Sequence, residues 1–175
     1  MQLTPTTTEI VEPVTLDEAK EHLRVFHNEE DGFIQSLLLA AYRAAENICH
    51  CVIPLQTFDY QIDCFAPVIV LPRNPVVSVE SVAYTDENGD PQTLDPSDYY
   101  VETGHFKSTI KPAYNASWPA TESGYNKVTV SFTAGFADPP EDIKAAIKLI
   151  IGELFYRREQ SIVGVSVAPV PVSAQ

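Results

Sequence analysis

Residues 29–64 read EEDGFIQSLLLAAYRAAENICHCVIPLQTFDYQIDC, and the spacing of their apolar residues changes once. Phe33, Ile34, Leu37, Leu38, Ala41, Ala44, Ala45 and Ile48 recur at i, i+3, i+4, i+7, the pattern of one helix face over about five turns. From Phe58 the period drops to two. Phe58, Tyr60, Ile62 and Cys64 alternate with Asp59, Gln61 and Asp63, as in a strand with one buried side. Pro54, just before the change, cannot continue the helix. A long helix that gives way to strands within one short stretch points to a mixed α and β chain.

Working outward, Thr15-Leu16-Asp17-Glu18 has the form of a capping box, with Glu18 three residues past the cap. It predicts a short helix over roughly residues 15–27, with Ala19, Leu23 and Phe26 as its apolar stripe and Asn28 at its end. The long helix occupies roughly 29–51. Residues 1–13 are Thr/Pro-rich and aperiodic, and read as an extended arm. Downstream come Val68–Leu71, the alternating run Val76–Thr85, and Asp86-Glu87-Asn88-Gly89-Asp90 as a hairpin turn. Weaker strand candidates lie at Leu94, Tyr99–Val101 and Ser108–Lys111. Lys127–Thr133 is a closing strand with Val128, Val130 and Phe132 on one face. Pro139-Pro140 then opens a helix over roughly 140–158, with Ile143, Ala146, Ile147, Ile150, Ile151, Leu154 and Phe155 as its apolar face. The predicted fold is α+β. Two N-terminal helices plus one C-terminal helix form a helical bundle, with a small antiparallel β unit inserted at about 57–134 and extended termini. The domain organisation is an arm over 1–13, one domain over 14–160 and a tail over 161–175.

The 175 residues carry 24 Asp+Glu against 11 Lys+Arg, a net charge of −13. Non-specific grip on a phosphate backbone depends on Lys and Arg, so this balance excludes it as a function. It also disfavours adhesion to anionic membrane surfaces. The N-terminus lacks the form of a signal peptide and no run is long enough to span a bilayer, so a cytosolic compartment is expected. Three cysteines fit that expectation better than a disulfide framework.

Catalytic chemistry finds little support. Cys49-His50-Cys51 is too compact for the usual zinc spacing, and His22/His27 fit the H-x₃₋₅-H spacing only formally, without a second pair. No nucleophile elbow, P-loop, zincin or dinucleotide-binding motif occurs. The loop Asp86–Asp90 lacks the twelve-residue calcium pattern, and Trp118 reads as packing or an interface anchor. No catalytic, metal or cofactor-binding residue is assigned, and no cofactor is expected.

Certain phrases, in their order, carry a family resemblance: PVTLDEAKEHLRV (Pro13–Val25), the Ala-rich helix ending AAENICH, LPRNPVVSVESVAYTDENGD (Leu71–Asp90), DYYVE (Asp98–Glu102) and VTVSFTAGFADPPEDIKAAIKLIIGELFYRRE (Val128–Glu159). Over Pro13–Glu159 the chain resembles the head–tail connector (adaptor) proteins of tailed bacteriophages, of the HK97-type connector superfamily with a β-rich insertion. It is similar also to gene transfer agent adaptors. Members often end in a further short helical segment bearing an Arg, which has no counterpart before Gln175.

The resemblance implies a structural, non-enzymatic protein. Copies form a ring, typically dodecameric, under the portal at the capsid vertex. The ring joins capsid to tail, meets a stopper or tail protein below, and lets DNA through as cargo rather than as a bound ligand. The location implied is the virion neck, after assembly in the host cytoplasm. No membrane is involved.

A closed ring needs two different complementary faces on each copy. The candidates are Ala40, Ala41 and Ala44 on the long helix with Ile147, Ile151 and Phe155 on the last one. The alternative is a three-helix core within one copy. The uncharged tail is the candidate portal-docking strap, through Ile162, Val163, Val165, Val167, Val170 and Val172, with a frayed terminus as the alternative. Glu29, Glu30 and Asp31 are candidate channel-lining acids that repel phosphates. The other readings are a different neck component (stopper or tail-completion protein), or a small soluble binding module or enzyme. A pocket of convergent polar groups around a perturbed carboxylate would mark the last of these.

Overall fold

The computed structural model describes residues 1–6, 12–104 and 106–157. The elements run β1 (Gln2–Pro5), α1 (Leu16–Leu23), α2 (Asp31–Cys49), β2 (Gln56–Ile62), β3 (Ile69–Leu71), β4 (Val76–Thr85), β5 (Pro91–Thr93), a single 3₁₀ turn (Pro96–Asp98), β6 (Tyr99–Glu102), β7 (Ser108–Pro112), β8 (Val128–Ala134) and α3 (Glu141–Tyr156).

The capping box forms as its residues dictate. The Thr15 amide donates to the Glu18 carboxylate at 2.8 Å, and the Glu18 amide donates back to the Thr15 hydroxyl at 3.2 Å. α1 stops earlier than its sequence suggests. Arg24 takes a left-handed conformation (φ 58°), and its N–H returns to the Glu21 and Lys20 carbonyls. Phe26, read as part of the α1 stripe, therefore lies past the helix and is 88% exposed. Lys20 closes the following turn through Asn28 (2.7 Å) and Asp31 (2.6 Å).

The three helices share one core. α2 contributes Ile34, Leu38, Ala41, Tyr42 and Ala45, α3 contributes Ile147 and Ile151, and α1 contributes Ala19 and Leu23. The small side chains of Ala41 and Ala45 leave room for a close neighbour.

The strands build a second core. β1-β2-β8-β4-β5 form a five-stranded antiparallel sheet and β3-β7-β6 a three-stranded one. Their inner faces meet: Ile69, Leu71, Tyr99 and Ile110 of the smaller sheet share one cluster with Ile62, Val82, Val130 and Phe132 of the larger. β8 lies at the centre of its sheet, and its alternation is complete, with Val128, Val130, Phe132 and Ala134 all fully buried. Strand β1 is a finding, since the aperiodic arm gave no strand signal; it supplies the edge beside β2, with Gln2 opposite Gln61 and Pro5 opposite Phe58.

The two cores meet at a narrow seam. Consecutive residues Val52 and Ile53 enter opposite cores. Their backbones are tied to the ends of β4 and β8: Val52 N–H to Asn74 O at 2.8 Å, and Phe136 N–H to Ile53 O at 3.0 Å. Gly135 has φ +112° and donates to Pro75 O at 2.8 Å. A Cβ there would meet the Pro54 carbonyl carbon at 2.8 Å, so both conformation and space require glycine.

Candidate assembly surfaces

Of the six helix positions proposed to lie between copies, Ala41, Ile147 and Ile151 are 0% exposed and fill the protomer's own helical core. This corrects the expectation for those three: α1, α2 and α3 consume them internally. Ala44 is half-buried, and so is Phe155, whose ring lies 6.2 Å from that of Phe33. Ala40 alone of the six is exposed.

α3 nevertheless keeps a second apolar stripe. Ala145, Ala146, Leu149 and Tyr156 follow helical spacing on the side away from Ile147 and Ile151, with Asp142 and Glu153 on the same face, and all six are exposed. Leu149 is 68% and Tyr156 73% exposed. The Tyr156 hydroxyl reaches the Leu23 carbonyl at 3.4 Å, which steadies the ring at the surface. The sequence did hold a signal for this face, because Leu149 does not fit the inward pattern of Ile143, Ile147, Ile150 and Leu154. On α2, Leu39 (42%) and Ile48 (74%) are exposed as well.

The proposed channel acids fare differently from one another. Glu29 is exposed. Glu30 stands 3.9 Å from His27. Asp31 is paired with Lys20 at 2.6 Å, where the lysine is nearly buried, so its charge is partly offset. Cations are widely occupied. Lys20, Lys111, Lys127, Lys144, Lys148 and Arg157 each contact a carboxylate. Hydrogen bonds to Asp138 and Glu141 push the Lys144 ammonium up to about 12.

At the seam, a cleft of about 260 Å³ is lined by Glu46, Asn47, Gln56 and Arg73 among others. Burial pushes the Glu46 carboxyl up, against the Ile53 amide it accepts at 3.0 Å and the charges of Arg73 and Arg43. This is the perturbed carboxylate that an enzyme reading asks for, but its oxygen is spent on fastening the α2–β2 connection.

The remaining candidates have structural roles. Asp86 accepts the Asp90 and Asn88 amides and the Gln92 side chain, which holds it below the usual carboxylate range as an ordinary turn acid. Trp118 stacks on Phe65 with ring centroids 4.8 Å apart and donates to Ala66 O at 2.7 Å. Cys49 and Cys51 are joined across the end of α2, and Cys64 is exposed and free. Among the described residues no cluster of three or more His, Cys, Asp or Glu is arranged to hold a metal ion. The tail positions Ile162, Val163, Val165, Val167, Val170 and Val172 lie outside the described residues.

On the β side, a mainly apolar groove of about 320 Å³ draws its lining from both sheets, with Met1, Tyr60 and Ile62 on one flank, Val68, Ile69 and Val70 on the other, and Asp63, Cys64 and Ala66 between them. Among the described residues, no strand pairs with the outer edge of β3.

A fold of this kind leaves apolar side chains such as Leu39, Ile48, Leu149 and Tyr156 exposed outside its cores. Residues 13–97 match the family described as phage gp6-like head-tail connector protein. No curated protein matches the chain. Among solved structures, a chain from the neck of an empty gene transfer agent (GTA) particle computed with C6 symmetry superposes with a TM-score of 0.77 at 23% identity, over 95% of this chain and 89% of that one. A chain of the native GTA virion gives 0.76 at 24% identity, over 97% and 90%. A chain from the neck of the native particle computed with C12 symmetry gives 0.74 at 23%, over 97% and 89%.

The class that these findings support is that of structural head–tail connectors of phage-like particles. The stretch 13–97, which holds α1, α2 and the strands through β5, matches the phage gp6-like head–tail connector family, and the fold beyond it, through β8 and α3, is shared with the neck chains.

Proposed function

We propose that this chain is the adaptor-type connector in the neck of a tailed phage or GTA-like particle, acting by structure and not by catalysis. Copies close into a ring, dodecameric as the family resemblance implies, beneath a portal and above a stopper or tail protein, and the genome passes through it. The carrying observation is the outward stripe of α3. Apolar side chains in helical register, exposed on a protomer whose own helical core is already filled, favour burial against a second, different face. The paired cations and the net charge of −13 support passage of DNA without binding. The portal is the partner above, with Ile162–Val172 as the segment available to reach it.

Electron microscopy of the full chain mixed with its portal tests the reading. Rings are expected with the wild type, and Leu149→Glu is expected to leave the monomer folded and abolish them. Rings with Leu149→Glu as abundant as in the wild type would remove the stripe from the interface. Monomers alone in the presence of portal would overturn the ring.

A further inference from the structure

We infer that the outward stripe of α3 in one copy packs antiparallel on the outward face of α2 in the next, with Leu149 against Leu39 and Asp142 paired with Arg43. The inference rests on the ring proposed above and names the second face that the ring requires. Gly32, Ser36, Leu39, Ala40, Arg43 and Asn47 recur at helical spacing on α2, opposite the core positions Ile34, Leu38, Ala41 and Ala45, and all six are exposed. Short side chains surround Leu39 there, so a second helix can approach closely.

Charge selects the occupant. Arg43 is the one charged side chain of the six. Glu46, one turn further on, is taken up by the Ile53 amide at 3.0 Å. The α3 stripe is the complement, apolar at Ala145 and Leu149 with Asp142 and Glu153 on the same face. Glu153 is held by Arg157 at 2.7 Å, whereas neither Asp142 nor Arg43 forms a salt bridge among the described residues. In a chain of net charge −13, a face whose single charge is positive is one that an acid-bearing stripe meets without repulsion.

Geometry fixes the direction. α2 ends and α3 begins at the seam, and Phe33 near the start of α2 lies beside Phe155 near the end of α3, so the two helices run antiparallel within one copy. A ring of many members turns each copy only slightly relative to the next, so α3 of one copy is antiparallel to α2 of its neighbour as well. With Leu149 set on Leu39, Arg43 lies about 6 Å and Asp142 about 10 Å further towards the seam, an offset that an arginine side chain spans.

Leu39→Cys with Leu149→Cys, in a Cys64→Ser background and assembled with portal, tests the pairing; Cys49 and Cys51 are already joined to each other. Mild oxidation is expected to give a ladder of linked chains on a non-reducing gel, all but lost when either new cysteine is left out. Rings seen by microscopy without that ladder overturn the inference and leave the ring standing. A dimer formed by Leu149→Cys alone, which pairs α3 with α3, or a link to the portal overturns it too. A charge swap is the second test and needs no cysteine. Arg43→Glu is expected to lower ring yield about tenfold or more, and Asp142→Arg in the same chain to restore it. Rings as abundant with Arg43→Glu as in the wild type overturn the inference, as does a loss that Asp142→Arg fails to rescue. Absence of rings from the wild-type chain with portal defeats the ring itself, and this inference with it.

Discussion

Thr15 and Glu18 exchange hydrogen bonds at the start of α1, and Lys148 of α3 stands 3.6 Å from the same carboxylate. The Thr15 backbone amide, then its hydroxyl, hold the Glu18 carboxyl below its usual range, with Lys148 adding to them. A depressed acid stabilises the fold above its unfolded pKa of about 4.3 and loses that effect as pH falls through the folded value. Glu18→Gln is therefore expected to be less stable than wild type at pH 7, and the gap should close in acid, as read by urea unfolding at a series of pH values. Glu46 has the opposite sign. Burial raises it, so the folded state holds its proton more tightly, and stability declines as pH climbs from the unfolded pKa to the folded one. Glu46→Gln should flatten that slope while keeping an acceptor for Ile53 N–H, whereas Glu46→Ala strands the amide at a cost of about 1–3 kcal/mol. Gly135→Ala should cost about 1–3 kcal/mol from its φ alone, before the approach of Pro54 is counted. The cap was legible in the sequence because Thr15 and Glu18 are three residues apart. The seam contacts of Glu46 and Gly135 were not, because their partners lie in other elements.

α3 carries two apolar stripes with different work to do. Ile151 is fully buried in the helical core, and Ile151→Ala is expected to lower stability by about 2–5 kcal/mol in denaturant unfolding. Leu149 faces outward, and Leu149→Glu should change monomer stability by only about 0.5 kcal/mol while it blocks assembly. A wide apolar face announces burial, yet periodicity alone cannot tell which part of it meets α2 and which stays outside the protomer. The sequence therefore points to Ile147 and Ile151 as interface residues, and only the structure separates them from Leu149. The strands were more legible where both neighbours bury one face, as for β8. They were less so where a strand is short and solvated, as for β1 at Gln2–Pro5.

At the scale of the molecule, every copy in a ring carries the same large negative charge, so copies repel as they close. Ring formation should strengthen as salt rises from about 20 to 200 mM, because the Debye length falls to below 10 Å, and light scattering against salt would register it. A ring that dissociates with added salt would instead show ion pairs to be the dominant contacts. The same charge predicts that duplex DNA is not retained in a gel-shift assay at physiological salt.

Local pattern by itself determined that the chain is α+β, where its long helix gives way to strands, how α1 begins, and that no familiar catalytic motif is present. These properties depend on neighbours along the chain, within a few residues. The tertiary structure decided that there are two cores joined at Val52–Ile53, that Asp31 pairs with Lys20, that α3 spends one face inside and leaves Leu149 and Tyr156 exposed, and that, among the described residues, β3 ends its sheet beside a groove. Each of these depends on which distant residues come into contact, and burial is settled only when both partners are in place.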